Sequence, residues 1–290
     1  MIPSTTILIF ADLDASRHIH VSVHGLWYVF DLENCFRLTN TDCFTAGTSV
    51  AKVTASDANP SQLTYIALAF GFSLTVNVWI FFRISGGLFN PAVTLGLYLT
   101  DTFSATRALI IFFAQLVAGI VAAATNYGLF PTPLDVSTTL TSGTTRTQGV
   151  FIEAILSFEL VFTVFMLAFE KHKATFLAPV GIGLALFVAE LAGIYYTGGS
   201  LNPARSFGPA VVNGVWEDHW VYWVGPLLGS LGAVGFFKLV RVLHYQDANP
   251  GQDRDLGETV ITVRDDTGNS VVNSVRRLFL VLDKRLLLPN

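Results

Sequence analysis

Long uncharged stretches alternate with short polar breaks over most of the chain after residue 57. From Ala58 to Phe82 no Asp, Glu, Lys or Arg occurs. Four further apolar stretches follow, at 108–127, 148–169, 174–195 and 220–240. A helix needs about 20 mostly apolar residues to cross a bilayer, so each stretch predicts one spanning helix. The pattern therefore predicts an all-α membrane protein with five clear spans.

Two of the breaks carry the same short motif. Gly86-Gly87-Leu88-Phe89-Asn90-Pro91-Ala92 follows the first span, and Gly198-Gly199-Ser200-Leu201-Asn202-Pro203-Ala204 follows the fourth. In both motifs Asn is placed to cap a helix and Pro occupies the first helical position. The sequence thus predicts two short helices, to about Leu99 and about Asn213, that begin inside the membrane. The positive, N-terminal ends of the two helix dipoles would point at the same position within the membrane.

The two motifs belong to an internal repeat. Aligning Asn90 with Asn202 also matches the glycines, Pro and Ala of the two motifs and the pair Gly96 and Gly208. Two copies that enter from opposite faces require an odd number of spans in each half, which predicts an inverted repeat. The second half has three spans and the first shows two. Residues 1–57 should supply the missing span.

The N-terminal segment 1–57 is atypical, because charged residues divide it and no stretch in it is long enough to span a bilayer. We interpret it as a degraded first span, from a mispredicted gene start or a truncated copy. The main domain is expected at 58–246, with a first half to about 128 and a second half at 148–246. The tail 247–290 is expected to be largely disordered. Within it, 275–288 could form a basic amphipathic helix on the membrane surface or be read-through sequence.

Basic residues set the expected orientation. Of the eight Lys and Arg residues at 58–246, six fall on one side if the spans alternate: Arg83, Arg107, Lys171, Lys173, Lys238 and Arg241. Arg146 and Arg205 fall on the opposite side. Loops rich in Lys and Arg stay in the cytoplasm. The first motif should therefore enter from the cytoplasmic side and the second from outside, with the C-terminus cytoplasmic.

Composition supports a membrane protein and excludes other classes. Hydrophobic residues make up 52% of the chain and charged residues only 13%, whereas soluble proteins carry about 25% charged residues. The formal net charge of -4 argues against nucleic acid as a partner. The only cysteines, Cys35 and Cys43, lack the company of a metal site. No cofactor, phosphate loop or nucleophile–base pair is indicated, so we do not expect an enzyme.

The two motifs in this membrane setting resemble a known signature. Asn90-Pro91-Ala92-Val93-Thr94-Leu95-Gly96 and Asn202-Pro203-Ala204-Arg205-Ser206-Phe207-Gly208-Pro209 look like the paired boxes of the aquaporin (major intrinsic protein) family. The resemblance runs from about Ala46 to Asn249 and is greatest to aquaporins of filamentous fungi. It implies six spans, two half-helices, one pore per subunit and a homotetramer in the lipid bilayer. The plasma membrane is favoured over an internal membrane.

The resemblance also implies a selectivity filter. Arg205 follows Asn202 where the family places its filter arginine, and Phe70, Glu190 and Gly199 occupy the other filter positions. Glu190 stands where water-selective members usually have His, and its expected partner is Arg205. Such a pair would partly neutralise the barrier to cations. The alternatives are ordinary helix packing for Phe70, and for Glu190 a structural ion pair or a protonated acid.

By the same resemblance, Glu153 is the buried glutamate that holds loop carbonyls beside the pore. Ser206 stands where glycerol-conducting members usually have Asp. The expected function is a passive channel for water and other small neutral solutes, such as peroxide, ammonia or small polyols. Two alternatives stay open. A secondary transporter also uses inverted repeats and broken helices, and the chain could be a non-conducting, truncated channel subunit.

Overall fold

The fold was analysed on a computed structural model that describes residues 59–131, 133–141, 143–249, 252, 262–264 and 270–272 of the 290-residue chain. The N-terminal segment 1–57 and the stretch 275–288, on which the sequence raised expectations, lie outside these described residues.

Seven α-helices make up the described membrane domain. They are α1 Pro60–Phe81, α2 Pro91–Leu99, α3 Ala105–Leu129, α4 Arg146–Val164, α5 Ala178–Thr197, α6 Pro203–Asn213 and α7 Val221–Val242. A π-helical turn, Phe165–Phe169, extends α4, and a 3₁₀ turn, Thr175–Leu177, leads into α5. A second 3₁₀ turn, Tyr245–Asp247, follows α7.

The tail contains a short antiparallel pair of strands, β1 Thr262–Arg264 and β2 Ser270–Val272. Thr262 is the partner of Val272, and Arg264 is the partner of Ser270. The expectation of a disordered tail therefore does not hold for these two strands.

Five helical segments of the described chain are long and apolar enough to cross a membrane: Pro60–Phe81, Ala105–Leu129, Arg146–Phe169, Thr175–Thr197 and Val221–Val242. The prediction of five spans and two short helices is confirmed. The starts differ by up to three residues because local caps set them. Ser104 accepts a hydrogen bond from the backbone N–H of Arg107, and Thr145 forms a capping box with Gln148.

The helices pack as the inverted repeat requires. Spans α1 and α5 pack against each other, and so do α4 and α7. Each short helix packs on a span of the other half, α2 on α7 and α6 on α3. Glycines permit this proximity: a Cβ added to Gly208 would lie 2.1 Å from the carbonyl oxygen of Gly119. Small residues at helix contacts are typical of membrane bundles.

The outer surface of the spans is apolar. Large hydrophobic side chains are exposed along it, among them Phe72 (62% exposed), Phe113 (57%) and Ile155 (66%). A soluble protein rarely exposes continuous apolar surface of this kind, whereas lipid-facing helices do so throughout. The chain is therefore an integral membrane protein, and its polar interior is the place to look for function.

Candidate functional site

The site begins with the starts of the two half-helices α2 and α6. Asn90 caps α2, with its Oδ1 accepting from the backbone N–H of Ala92 at 2.8 Å. Asn202 caps α6, with its Oδ1 accepting from the N–H groups of Ala204 at 3.0 Å and Arg205 at 3.4 Å. Pro91 and Pro203 occupy the first helical positions. The predicted cap geometry is confirmed at both motifs.

The glycine pairs give both motifs the same backbone. The φ angles are +92° and +65° at Gly86 and Gly87, and +78° and +61° at Gly198 and Gly199. This left-handed region is strained for residues with a Cβ, so glycine is required where the chain must turn sharply before each half-helix.

The two asparagines bind each other's loops reciprocally. The Nδ2 of Asn90 donates to the carbonyl oxygen of Leu201 at 2.8 Å, and the Nδ2 of Asn202 donates to that of Phe89 at 3.0 Å. Each accepting residue directly precedes the other asparagine in the chain. The two half-helices thus meet start to start. Since each amide nitrogen carries two hydrogens, one N–H of each asparagine has no partner among the residues that the structure describes.

Glu153 on α4 organises the loop that precedes α6. Its Oε1 accepts from the hydroxyl of Thr197 at 2.7 Å and from the backbone N–H of Ser200 at 3.0 Å. Its Oε2 accepts from the backbone N–H of Leu201 at 2.7 Å. Glu153 is fully buried. Hydrogen bonds to a carboxylate are among the strong ones, so Glu153 fixes this loop.

Glu153 was expected to hold loop carbonyls beside the pore, and its direct hydrogen bonds go to donors of the loop, so any hold on the carbonyls is indirect. A carboxylate accepts hydrogen bonds, and the groups it binds are N–H and O–H donors of the loop. Carbonyls of the same loop have other partners. Gly198 provides its carbonyl to Arg205, and Leu201 provides its carbonyl to Asn90.

Arg205, on the first turn of α6, is anchored by backbone carbonyls. Its Nη1 donates to the carbonyl of Val136 at 2.6 Å and its Nη2 to that of Gly198 at 3.3 Å. Its guanidinium carbon lies 5.3 Å from the ring centroid of Phe70. The structure thus brings together Arg205 and Phe70, two of the four residues expected in the filter.

A cavity of about 450 Å³ runs past these groups. Phe70 and Arg205 line one end of it, and Asn90 and Asn202 line its middle. Phe82 lines the other end and is 12 residues beyond Phe70, or roughly 18 Å along α1. That end is also lined by Thr102, Phe103, Arg107 and Lys171. The cavity therefore extends from the arginine to the side on which most basic residues of the sequence were expected.

Glu190 was expected in the filter beside Arg205, and this assignment stays a prediction. Its side chain on α5 is fully buried, and it is not among the described residues that line the cavity. Nη1 and Nη2 of Arg205 donate to carbonyls, and neither oxygen of Glu190 has a hydrogen-bond partner within the described chain. Arg205 is nevertheless the charged group that acts most strongly on Glu190, so the expected pairing stays a prediction. The carboxyl group of Glu190 packs against the open side of Gly199, where a side chain at residue 199 would otherwise point. A Cβ added there would lie 1.8 Å from Oε2 of Glu190.

Sequence reasoning missed Gln115 and Ser230. Gln115 on α3 donates through Nε2 to the carbonyl of Leu88 at 3.0 Å and to the hydroxyl of Thr94 at 2.9 Å. Ser230 on α7 donates to the carbonyl of Ala92 at 2.7 Å. Both tie α2 and its loop to neighbouring spans. Each is a polar side chain within an apolar span. Such a side chain usually faces the interior of the bundle and has a partner there, and this signal could have identified both residues.

These features define a class of integral membrane protein in which two half-helices of an inverted repeat meet at mid-membrane around a cavity. The chain belongs to one such family, since the family model described as "Major intrinsic protein" matches residues 39–237.

Relatives named as aquaporins agree with this assignment. The chain is 60% identical over 222 residues to "Aquaporin-5" of Botryotinia fuckeliana, a match over 72% of this chain and 41% of that relative. It is 55% identical over 223 residues to "Probable aquaporin-5" of Gibberella zeae, over 72% of this chain and 41% of that relative. The expected similarity to filamentous-fungal members is confirmed. The matched part spans less than half the length of these relatives.

One solved structure shares the fold. The X-ray structure of the aquaglyceroporin from Plasmodium falciparum aligns with a TM-score of 0.64 at 22% identity, over 77% of this chain and 100% of that one. At this identity the likeness concerns the fold alone. It confirms the predicted inverted-repeat architecture of spans and half-helices.

Proposed function

We propose that this chain forms a passive transmembrane channel for water and for other small neutral solutes. The observation that carries the proposal is the reciprocal anchoring of Asn90 and Asn202 in the middle of a continuous cavity. Each asparagine keeps one N–H to offer, in a passage lined largely by apolar side chains. A single file of water could pass there by exchanging hydrogen bonds with two fixed donors.

The arrangement of the half-helices gives a physical reason for excluding cations. Helices α2 and α6 begin at the same place, so their positive dipole ends act on one stretch of the cavity. Arg205 adds a full positive charge at one end of the cavity, beside Phe70. A positive potential over a narrow, largely apolar passage repels cations and protons while neutral molecules enter.

The filter we propose keeps the four residues that the sequence suggested, Phe70, Glu190, Gly199 and Arg205. Phe70 and Arg205 face the solute, and Gly199 contributes backbone without a side chain. The buried carboxyl group of Glu190 lies on the open side of Gly199. Ser206, which hydrogen-bonds to Ser200 at 2.6 Å, stands where glycerol-conducting members of the family usually have Asp, and this resemblance supports a water-type site. Peroxide, ammonia and small polyols belong to the same proposal.

We also propose the orientation of the channel, its oligomeric state and its membrane. We place the end lined by Arg107 and Lys171 in the cytoplasm, because basic loops stay there. The C-terminus then lies in the cytoplasm with the tail from 247, and the main domain spans 58–246. The family resemblance supports a homotetramer in the plasma membrane.

Osmotic shrinkage of proteoliposomes tests the function. The purified full chain should raise water permeability several-fold over protein-free vesicles. The rate should rise in proportion to the osmotic gradient without saturating, as expected for passive flow. Arg205→Ala should keep water flow and increase leakage of urea and of cations, since a donor and a positive charge are lost from the narrow end.

Two other results would contradict the proposal. Saturable uptake that depends on an ion gradient would indicate a secondary transporter, whose coupling requires such a gradient. Permeability equal to that of protein-free vesicles, at verified protein density, would indicate a non-conducting subunit.

A further inference from the structure

The end of the cavity opposite Arg205 carries two positive charges, each placed on an aromatic ring. Four of the residues that line this end, Phe82, Phe103, Arg107 and Lys171, are called the basic mouth below. The Nζ of Lys171 lies 5.4 Å from the ring centroid of Phe82, and the guanidinium carbon of Arg107 lies 5.4 Å from that of Phe103. Since an aromatic face attracts a cation, both positive charges are held at the wall of the cavity.

Lys171 belongs to the short loop that follows α4. Its Nζ donates to the carbonyl of Ala168 at 2.6 Å, at the end of the π-helical turn. An ammonium group carries three hydrogens, and no other acceptor for it occurs among the described residues. Lys171 therefore has donors to offer to an acceptor that enters the basic mouth.

The acidic neighbour of Lys171 is engaged elsewhere. The Oε1 of Glu170 lies 3.9 Å from Nε of Arg241, and its Oε2 accepts from Nε2 of Gln246 at 3.4 Å. Both partners belong to the end of α7 and the turn after it. No Asp or Glu occurs among the described residues that line the cavity. The positive charge of Lys171 is therefore not neutralised within this lining.

The electrostatics of the cavity favour an anion at the basic mouth and not beyond it. A cleft that is lined by charges of one sign focuses the electric field and raises the local concentration of counter-ions. Past the basic mouth the lining includes the apolar side chains of Val78, Val164 and Ile182. An anion that moved among them would lose its water without gaining a partner, which is strongly unfavourable. It is therefore attracted to the mouth and stopped there.

The two cations suit a phosphate group better than a singly charged anion. A phosphate monoester carries about −1.5 to −2 charges at pH 7 and three strong acceptor oxygens, so it can bind both cations at once. Lys binds phosphate as a point charge, and Arg offers a planar fork of donors that matches it.

We propose that the basic mouth binds a phosphate group and that the bound anion blocks the cavity. Lys171 is the principal ligand, and Arg107 is the second. The phosphate group comes from free phosphate and its monoesters or from a lipid headgroup, and the experiments distinguish these two sources. The block rests on the proposed channel function, whereas binding does not.

Phosphorus NMR measures binding without reference to conduction. Inorganic phosphate is added to the purified full chain in a nonionic detergent, for the wild type, Lys171→Gln and Lys173→Gln. Lys173→Gln is the matched control, because Lys173 is an exposed lysine of the same loop that is not among the described residues lining the cavity. The wild type and Lys173→Gln should broaden the phosphate signal, and Lys171→Gln should broaden it much less. Equal broadening by the wild type and Lys171→Gln would overturn the proposal.

Osmotic shrinkage of neutral phosphatidylcholine proteoliposomes measures the block. Phosphate is present on both sides of the membrane, and each protein is compared with itself in chloride of equal ionic strength and osmolarity. At a phosphate concentration equal to Kd half of the channels are occupied, so the water permeability of the wild type should fall about twofold. Lys173→Gln should lose as much, and Lys171→Gln should lose little. A loss in Lys171→Gln as large as in the wild type would place the anion elsewhere and refute the site.

A second set of vesicles identifies the source of the phosphate. These contain a small share of phosphatidic acid, a lipid with an exposed phosphate monoester, in chloride without free phosphate. A block that needs Lys171 in these vesicles alone would assign the site to a lipid headgroup. One that occurs with free phosphate in neutral vesicles would assign it to the soluble anion. If neither source gives binding or block that depends on Lys171, the proposal is wrong.

Failure of the proposal can be told apart from failure of the channel function. Wild-type permeability in chloride no higher than that of protein-free vesicles would count against the channel function. The NMR comparison of the wild type with Lys171→Gln would then still decide whether the site exists.

Discussion

Glu153 accepts three hydrogen bonds from the end of α5 and the loop before α6. These hydrogen bonds position Leu201, which directly precedes Asn202. Replacing Glu153 by Gln keeps one accepting oxygen and turns the other acceptor into an NH₂ group. The new NH₂ group then faces an N–H or O–H donor of the loop, from which it cannot accept a hydrogen bond. We expect Glu153→Gln to destabilise the fold by about 1–3 kcal/mol and to lower water permeability, since the loop before α6 is loosened.

Thermal unfolding in detergent and stopped-flow shrinkage of vesicles measure the two effects of Glu153→Gln. Glu217→Gln is the matched control, because Glu217 is exposed in the loop between α6 and α7. If the two variants unfold at equal temperatures, the hydrogen bonds of Glu153 contribute little to the stability of the fold.

His219 gives a pH dependence of stability. It lies between α6 and α7, outside the spans, where partial burial lowers its pKa below the ordinary value of 6.5. Its Nε2 is buried without a hydrogen-bond partner in the described chain, beside the rings of Phe207 and Trp216. The folded protein therefore disfavours the charged imidazole, while the unfolded chain takes up the proton. The contribution of His219 to stability should be full above the ordinary pKa of 6.5. It should decline as the pH falls from there toward the lower pKa of the folded protein.

The corresponding measurement is the melting temperature at about pH 7.5 and about pH 5, on either side of the histidine titration. The wild type should lose more stability on acidification than His219→Gln. His244→Gln, at an exposed histidine, serves as the control and should behave like the wild type. An unchanged pH response in His219→Gln would contradict the assignment.

At the scale of elements, the contact of α6 with α3 positions the second half-helix. A Cβ on Gly208 would lie 2.1 Å from the backbone oxygen of Gly119, which cannot move as a flexible side chain could. Gly208→Ala should push α6 away from α3 and displace Asn202 and Arg205 at its start. We expect a several-fold loss of water permeability and a destabilisation of about 1–3 kcal/mol.

Gly235→Ala is the matched control for Gly208→Ala. It lies on α7, and a Cβ added there meets nothing within 4 Å. Alanine is favoured over glycine in a helix by up to about 1 kcal/mol, so this variant should conduct normally and unfold no earlier than the wild type. Normal conduction by Gly208→Ala as well would show that the close approach is not needed.

The elements were predictable because their signals are local. Runs of apolar residues predicted the spans, and the two Asn-Pro pairs predicted the starts of α2 and α6. The partners of the site were not predictable, because they lie far away in the chain. Ser230 is 138 residues from Ala92, and Arg205 is 69 residues from Val136. The same limit applies to Glu190, whose packing against Gly199 could not be predicted from the sequence.

At the scale of the whole molecule, Glu159 lies within the span Arg146–Phe169 and is exposed on its outer face. Its side chain has no hydrogen-bond partner within the described chain. A carboxyl group facing lipid at this depth is unfavourable. In the proposed homotetramer we therefore expect Glu159 at a boundary between subunits, with a donor from the neighbouring copy.

This expectation makes a prediction about assembly. Glu159→Leu should lower the tetramer fraction in mild detergent, because the donor on the neighbouring subunit loses its acceptor. Glu159→Gln retains an acceptor and should assemble like the wild type. Size-exclusion chromatography with light scattering measures both. A tetramer fraction for Glu159→Leu that equals or exceeds that of the wild type would place Glu159 outside the boundary.

The central claim is that two opposed half-helices, joined through Asn90 and Asn202, form a conducting passage. The most direct measurement is osmotic water permeability per protein for the full chain and Asn90→Ala in matched proteoliposomes. Asn90→Ala removes the bond to Leu201 and the cap of α2, a cap being worth about 1 kcal/mol. We predict several-fold faster shrinkage than in protein-free vesicles for the wild type, and a return toward the protein-free rate for Asn90→Ala. A wild type no faster than protein-free vesicles, or an Asn90→Ala variant as fast as the wild type, would contradict the claim.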